Sequence, residues 1–328
     1  MTKPAKKPHP VVCAGLLVAD HLCTPISHLP AAGELVMANE LVLNIGGCAS
    51  NAAVVLAKLG VAATVCGKVG EDVFGTFVAE SLVGHGVDVA GLSVDPDRPT
   101  SQTLIVNVKG EDRRFIHAVG ANAALRAEDL DRLIDVADPP RVLYVGGYLI
   151  MAGLDAAALG QTFARARRAG TTTVLDVACP GLADYLPHLT PVLPHTDVFL
   201  PNYHEAGLIL GDVRDPVKQA EAFRALGARR VVITQGELGS VSLSDELRAR
   251  LGAYPVTFVD GTGGGDAFDA GYIAGLLEGL PEIECLKLAS AVGASCVRAV
   301  GATAGVFTRP EADAFMRQHA LRVETIPA

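Results

Sequence analysis

Short apolar runs alternate along this chain with longer segments in which apolar residues recur at helical spacing. The runs predict strands at 11–19, 63–67, 142–146, 172–177, 198–200, 231–234 and 254–259. The periodic segments predict helices at 49–59, 73–83, 156–169, 205–210, 219–226 and 267–280. This alternation is typical of a central, mostly parallel sheet flanked by helices, in which buried strands read as continuous Val, Ile and Leu runs. The predicted fold class is therefore α/β.

Two segments interrupt the alternation. Residues 34–44 are rich in Val and Leu without a helix signal, and residues 102–119 alternate around Lys109-Gly110-Glu111-Asp112, which predicts a hairpin. We interpret both as a small β-lid over a substrate site, with an ordinary edge hairpin as the open alternative. The predicted lid comprises residues 21–45 and 98–121. The predicted main domain comprises 1–20, 46–97 and 122–328.

Composition and charge narrow the class of protein. Half of the 328 residues are apolar and 19% are charged, as expected of a globular chain with a sizeable core. The net charge of −9 disfavours nucleic acid and anionic membrane as partners. No apolar segment is long enough to span a bilayer. A nucleotide remains compatible, because a metal ion and backbone donors can carry its phosphate charge.

The N-terminus and the cysteines bear on localisation. Lys3, Lys6 and Lys7 precede an apolar run of residues 11–19, which Asp20 closes. The run is too short for an export signal and predicts a buried first strand. Seven cysteines, an odd number without a CxxC pair, predict free thiols in a reducing cytoplasm.

The stretch Asp260-Gly261-Thr262-Gly263-Gly264-Gly265-Asp266 joins a predicted strand to a predicted helix. Consecutive glycines there present bare backbone N–H groups at a helix N-terminus, which suits an anion such as phosphate. A flexible linker would instead be flanked by polar sequence. A carboxylate in such a site makes sense if Asp266 faces a group that loses a proton. The helix N-terminus is expected to lower the pKa of Asp266.

Other polar groups follow predicted strands, where ligands of open α/β sheets bind. Asp20 follows the first strand, and Gly46 and Gly47 precede the helix that carries Asn51. These groups suit the hydroxyls of a ligand, and turn or capping roles are equally open.

Two further motifs are ambiguous when taken alone. Asn202-x-x-Glu205 favours a helix capping box over an amide and carboxylate that hold water on a phosphate-bound metal. Thr234-x-Gly236-x-x-Gly239 fits either a turn between strands or backbone near a nucleotide. Walker A, G-x-G-x-x-G, H-E-x-x-H and G-x-S-x-G motifs do not occur, which disfavours dehydrogenases and the common hydrolases.

Taken in order, these motifs resemble the ribokinase-like (PfkB) family of carbohydrate kinases over about residues 11–307. The resemblance is carried by Asn44-Ile45-Gly46-Gly47-Cys48-Ala49-Ser50-Asn51-Ala52-Ala53, Gly120-Ala121-Asn122, Asn202-x-x-Glu205, Thr234-x-Gly236-x-x-Gly239 and the segment from Asp260 to Gly271. It implies a ribokinase-like fold with a β-lid and ATP-dependent phosphorylation of a sugar hydroxyl. It also implies a homodimer through the lid.

The resemblance assigns roles to residues of this chain. Asp266 corresponds to the general base and the backbone of Gly263, Gly264 and Gly265 to the anion hole. The implied sugar-binding residues are Asp20, Gly46, Gly47 and Asn51. The implied ATP-binding residues are Thr234, Gly236, Gly239 and Asn202. Asn202 and Glu205 would hold Mg²⁺ through water, and Asp260 and Thr262 a monovalent cation such as K⁺.

The sequence also departs from the family pattern. At position 261 the family usually has Thr, and at position 264 it often has Ala, whereas this chain has Gly at both. Cys48 occupies a position at which ribokinases proper often have Lys. Ser50 replaces a common Ala. These changes leave the anion hole in place but weaken the expectation of the cation site and of ribose as acceptor.

Alternatives to a small-sugar kinase remain open. A nucleoside kinase of the same family is one, although 5% aromatic residues and no Trp favour a small sugar. A non-catalytic sugar- or nucleotide-binding regulator is another. Arg98, Arg113 and Arg114, in or near the predicted lid, leave open an acceptor that is already phosphorylated.

Overall fold

The computed structural model describes residues 10–111 and 113–327. Outside the described residues lie the N-terminal Lys3, Lys6 and Lys7, and also Asp112, which belongs to the predicted hairpin turn. The strands are β1 (Val11–Gly15), β2 (Val18–Ile26), β3 (Leu41–Gly46), β4 (Ala63–Gly70), β5 (Asp88–Asp95), β6 (Gln102–Val108), β7 (Arg114–Ala118), β8 (Val142–Gly146), β9 (Thr172–Leu175), β10 (Val198–Phe199), β11 (Val231–Thr234), β12 (Ser240–Leu243), β13 (Arg248–Leu251) and β14 (Val323–Thr325). The helices are α1 (Cys48–Lys58), α2 (Val73–Gly84), α3 (Ala127–Ile134), α4 (Ala156–Arg168), α5 (Leu186–Leu189), α6 (Tyr203–Leu210), α7 (Pro216–Ala225), α8 (Gly264–Glu278), α9 (Glu282–Cys296) and α10 (Arg309–Gln318).

A large sheet forms the centre of the molecule, with strand order β14-β13-β12-β11-β10-β9-β8-β1-β4-β5. The pairs from β11 to β5 are parallel, and β12, β13 and β14 extend the sheet as an antiparallel tail. This confirms the predicted α/β class. Within the described ranges, no helix combines the length and apolarity needed to cross a membrane.

Side chains of the central strands alternate between two apolar cores. Val11 and Cys13 of β1 pack on the side of α1, α2, α8 and α9, whereas Val12 and Ala14 pack on the side of α3, α4, α6 and α7. Successive residues of a strand point to opposite faces, so a strand covered on both sides is apolar throughout. The continuous apolar runs of the sequence have this cause.

Helix α8 is buried along most of its length and is packed closely by α9. A Cβ at Gly271 would lie 2.8 Å from Ala289 Cα, and one at Gly275 would lie 2.9 Å from Cys285 Sγ. The two glycines therefore allow the helices to approach more closely than larger residues would permit. This packing fixes the N-terminus of α8, where Asp266 lies.

A second, four-stranded sheet has the order β3-β2-β6-β7 and is called the small sheet below. The predicted hairpin is confirmed, because β6 and β7 pair antiparallel. The prediction of one strand over 11–19 is wrong. β1 ends at Gly15, where a Cβ would lie 2.2 Å from Gly146 O, and β2 enters the small sheet at Val18. Asp20 is therefore a strand residue of the small sheet.

Two other strand predictions also need correction. Of residues 34–44, only those from Leu41 onward form a strand. Residues 254–259 form no strand, and Phe258 and Val259 are 69% and 50% exposed. An apolar run becomes a strand only where a neighbouring strand takes up its backbone hydrogen bonds, and composition does not show whether such a neighbour is present.

Candidate active site

One face of the small sheet carries a row of polar residues. Asp20 is paired with Asn44 on β3 and with Thr103 on β6, and Thr103 is paired with His117 on β7. Thr103 donates a hydrogen bond to the Asp20 carboxylate, and Thr103 Oγ1 lies 3.0 Å from His117 Nδ1. Burial raises the pKa of Asp20 to about 6, with a further contribution from the charge of Asp266. The polar row therefore faces the N-terminus of α8.

The glycine pair at the end of β3 brings the backbone close to this row. A Cβ at Gly46 would lie 1.9 Å from Asp20 Oδ2. Gly47 caps α1 with φ 91°, and a Cβ there would lie 2.4 Å from Leu16 O. Neither position accommodates a side chain without moving its neighbours. The pair holds Asp20 beside the start of α1, which carries Asn51.

Asp266 lies in the first turn of α8 and is partly buried. Asn51 Nδ2 donates to Asp266 Oδ2 over 2.8 Å, and the Cys48 thiol also donates to this carboxylate. Burial raises the pKa of Asp266 and outweighs these two hydrogen bonds, which act to lower it. The prediction of a low pKa from the helix N-terminus was wrong, because it omitted burial.

Asn51 is 4% exposed, and within the described part of the chain its Oδ1 atom has no hydrogen-bond partner. A buried amide oxygen without a donor is costly, and this one lies on the side chain that donates to Asp266.

The three glycines form the N-terminal turn of α8. Gly263 is its N-cap with φ 75°, and a Cβ there would lie 2.4 Å from Ala302 O. Beside Gly265, by contrast, a Cβ would meet no described heavy atom within 4 Å. The first-turn N–H groups of a helix lack a preceding turn of carbonyls. Gly264 N donates to Gly261 O over 3.3 Å, whereas the space beside Gly265, next to Asp266, is open to an approaching anion.

Two acids near Asp266, the partly buried Asp176 and the buried Asp269, were missed by the sequence reasoning. Asp176 directly follows β9 and accepts a hydrogen bond from Gly147 N over 3.0 Å. Asp269 lies one turn after Asp266 and accepts from Tyr144 OH over 3.0 Å. Burial raises the pKa of both carboxyls well above the usual range, and their neighbouring acids add to the effect. The position of Asp176 at the carboxyl end of a strand was the available signal.

One group of side chains could hold a metal ion directly. Donor atoms of Cys48, Asp176 and Asp266 all lie within 4.8 Å of one another. Burial raises the pKa of the Cys48 thiol well above its usual value, and the negative charges of Asp266 and Asp176 add to this. The thiol is therefore protonated at neutral pH, and in that state it is a hydrogen-bond donor rather than a metal ligand.

The Asn202 and Glu205 pair forms the predicted capping box at the start of α6. Glu205 N donates to Asn202 Oδ1 over 2.9 Å, and Asn202 N donates to Glu205 Oε2 over 3.0 Å. Burial raises the pKa of Glu205 to about 7, with Asp266 contributing. The cap is confirmed, and the role in metal binding stays a prediction.

A pocket of about 430 Å³ lies beside this cap. Its lining includes Asn202, Tyr203, Thr234 and Gly236. Residues Thr234 to Gly239 form the turn between the antiparallel strands β11 and β12, which confirms that interpretation. Three of the four predicted ATP-binding residues therefore line one cavity.

Asp260 and Thr262, the predicted cation ligands, are bonded to other protein groups. Asp260 Oδ1 accepts from Thr262 N, Thr262 Oγ1 and Arg113 Nη1 over 3.0, 2.8 and 2.8 Å. Gly301 N donates to Asp260 Oδ2 over 2.9 Å. Burial alone would raise the pKa of Asp260, but these hydrogen bonds and the charge of Arg113 lower it. Because both carboxylate oxygens of Asp260 already accept hydrogen bonds from the protein, Asp260 and Thr262 do not fit the predicted role as ligands of a monovalent cation.

The arginines considered for a phosphorylated acceptor each contact an acidic residue. Arg98 contacts Asp95 over 3.0 Å, and Arg114 contacts Glu111. Arg113 contacts Asp260, as described above. These ion pairs argue against a phosphate-binding role for the three residues.

The fold and this site define a sugar kinase of the ribokinase fold. A small sheet presents a polar row to a carboxylate in the first turn of α8, and a pocket of about 430 Å³ lies beside the cap of α6. The model that describes the pfkB family carbohydrate kinases matches residues 9–309, and the chain belongs to this family. It is an ATP-dependent carbohydrate kinase, as predicted.

Known proteins similar to this chain include kinases for different acceptors. Ribokinase of Mus musculus is 32% identical over 301 residues, covering 89% of this chain and 90% of the relative. A 2-dehydro-3-deoxygluconokinase of Thermoproteus tenax is 28% identical, covering 84% and 86%. The solved structure of a putative ribokinase II from E. coli in complex with ATP and Mg²⁺ has a TM-score of 0.79 at 23% identity, covering 95% and 100%.

Proposed function

We propose that this enzyme transfers the γ-phosphoryl group of ATP to a hydroxyl of a small sugar or sugar-derived acceptor, with Asp266 as the general base. The observation that carries the proposal is the contact of Asp266 with Asn51 beside the open space at Gly265 of the glycine turn. The names of the relatives, ribokinase and 2-dehydro-3-deoxygluconokinase, support a small acceptor over a nucleoside.

In the proposed reaction, Asp20 and Asn51 bind the acceptor and Asp266 accepts the proton of the attacking hydroxyl. The raised pKa of Asp266 makes it a better base than an exposed carboxylate, while its pKa stays below that of the acceptor hydroxyl. Phosphoryl transfer passes through a loose transition state with charge on the equatorial oxygens. The N–H groups of Gly263, Gly264 and Gly265 would stabilise that charge, with Gly264 N turning from Gly261 O to the phosphoryl group.

ATP would bind in the pocket lined by Asn202, Thr234 and Gly236, with Gly239 shaping the turn. Glu205 fits a role in binding Mg²⁺ through water, because burial and the charge of Asp266 raise its pKa and a divalent cation would offset the negative charge. When bound, Mg²⁺ neutralises charge on the phosphates. Asn202 would hold the same water network from its position at the cap.

The decisive experiment is the variant Asp266→Asn, assayed by ADP release against a panel of sugars and nucleosides with ATP and Mg²⁺. We expect kcat to fall by several orders of magnitude, while calorimetry shows sugar affinity largely retained. Asp155→Asn, which alters the N-cap of α4, serves as the matched control and keeps full turnover. Turnover retained in Asp266→Asn would remove Asp266 from the role of base. Wild-type protein inactive on every acceptor would favour the regulator.

We further propose that the small sheet acts as a lid that limits ATP hydrolysis in the absence of sugar. ADP release without acceptor should be slow, and sugar-free turnover close to the full rate would contradict a closing lid.

The face of the small sheet opposite the polar row carries Leu43, Leu104 and Ile116, which are 36%, 41% and 66% exposed. We infer a homodimer through this face. Sedimentation should show a dimer that Ile116→Glu dissociates, and a wild-type monomer would refute it.

A further inference from the structure

We propose that Arg113 takes the place of an activating monovalent cation at the glycine turn, so that this kinase works without K⁺. The inference rests on the proposed function, because the turn is assigned there to phosphoryl transfer. Arg113 precedes β7 in the small sheet, and its guanidinium reaches across to the loop before α8. There it donates to Asp260 Oδ1 over 2.8 Å and to Thr262 Oγ1 over 2.6 Å.

The oxygens that a cation would need are already bonded. A monovalent cation is held by several oxygen lone pairs at once, commonly from backbone carbonyls. Both carboxylate oxygens of Asp260 accept N–H or O–H groups. The backbone oxygen of Thr262 accepts the thiol of Cys296 over 3.3 Å, and the same thiol lies 3.0 Å from Ala302 O. Hydrogen-bond donors of the protein itself therefore occupy the oxygens of Asp260 and Thr262 that a cation would need.

The local backbone also makes room for the guanidinium. A Cβ at Gly261 would lie 2.9 Å from Arg113 Nη2, so a larger residue there would push the arginine away. The Arg113 guanidinium also lies 5.7 Å from the centre of the Phe115 ring, which adds a cation–π contact. Asp260 is only 7% exposed, and a buried carboxylate needs a positive partner. Arg113 supplies that charge permanently, because arginine does not deprotonate in proteins.

Arg113 therefore acts as a positioning residue for the glycine turn. Its contact with Asp260 joins residues 147 positions apart and links the small sheet, which holds Asp20, to the turn that holds Asp266. A free ion would neutralise Asp260 whether or not the small sheet was in place. An arginine on the small sheet neutralises it only when that sheet lies over the site.

The test compares salts at equal ionic strength. Wild-type kcat/KM should differ less than twofold between KCl, NaCl and tetramethylammonium chloride. Arg113→Ala should lose at least tenfold in tetramethylammonium chloride and recover most of the loss with KCl or guanidinium chloride. Gly261→Thr, which leaves Arg113 in the chain but crowds it out, should acquire the same dependence on K⁺. Arg114→Ala is the matched control, since Arg114 pairs with Glu111, and it should behave as wild type.

A second readout does not depend on turnover. The Tm of the wild type should be the same in KCl and NaCl, whereas that of Arg113→Ala should rise in KCl alone. Activation of the wild type by K⁺ of tenfold or more, or a rise of its Tm specific to KCl, would overturn the proposal. So would an Arg113→Ala variant with wild-type kcat/KM, or one that neither K⁺ nor guanidinium restores while Arg113→Lys remains active. Failure of the wild type to phosphorylate any acceptor would refute the proposed function instead, and the Tm series would still judge Arg113.

Discussion

Asn51→Leu tests how the protein sets the basicity of Asp266. Leucine fills a similar volume but cannot donate to Asp266 Oδ2, which accepts from Asn51 over 2.8 Å. A hydrogen bond to a charged group contributes about 1.5–3 kcal/mol. One pH unit corresponds to about 1.4 kcal/mol, so losing the bond should raise the pKa of Asp266 by about one to two pH units. Burial, which already raises this pKa, is unchanged by the substitution.

The assay is the pH profile of kcat/KM from ADP release. A base works only when deprotonated, so activity rises with pH through its pKa, and the acidic limb should move to higher pH in Asn51→Leu. Neighbouring acids such as Glu205 titrate together with Asp266, so the limb reports the group rather than one residue. Asn107→Leu is the control, since Asn107 donates to Cys23 O in the small sheet. A uniform loss of kcat/KM with an unmoved limb would show that Asn51 only binds substrate.

Two substitutions and one labelling experiment test other parts of the site. Gly46→Ala places a methyl group where Asp20 Oδ2 lies, and we expect the KM of the acceptor to rise at least tenfold; an unchanged KM would refute the contact. Because burial raises the pKa of Cys48, iodoacetamide at pH 7 should label it much more slowly than glutathione, as mass spectrometry would show, and rapid labelling would contradict a protonated thiol. Asp269 has a pKa raised on folding, so its contribution to stability is lost as pH rises. Asp269→Asn should therefore raise the Tm more at pH 8 than at pH 5, and the opposite order would refute a buried neutral acid.

Local patterns in the sequence predicted the parts of the site that lie on short stretches of chain. The glycine turn before α8 and the Asn202–Glu205 cap depend on neighbours within a few residues, so their structure follows from spacing alone. Asp20 was predicted to follow the first strand but lies within β2, because the switch from β1 to β2 occurs inside one apolar run.

Contacts across long separations could not be read from spacing. Arg113 and Asp260 are 147 residues apart, and the alternation that predicted the hairpin gave no information about what lies opposite it. The pKa of Asp266 was misjudged for the same reason. The helix N-terminus is visible in the sequence, whereas the burial that outweighs it depends on how the small sheet and α1 close over α8.

The passage from β1 to β2 has a mechanical consequence. The chain leaves the central strand at Gly15 and enters the small sheet at Val18. Between them, Leu17 makes two hydrogen bonds with the Asn122 side chain. Leu17 N donates to Asn122 Oδ1 over 3.2 Å, and Asn122 Nδ2 donates to Leu17 O over 2.9 Å. Because this connection is so short, movement of the small sheet relative to the central sheet should strain or break the Leu17–Asn122 hydrogen bonds. Hydrogen–deuterium exchange at the Leu17 amide should therefore report how often the small sheet separates from the central sheet.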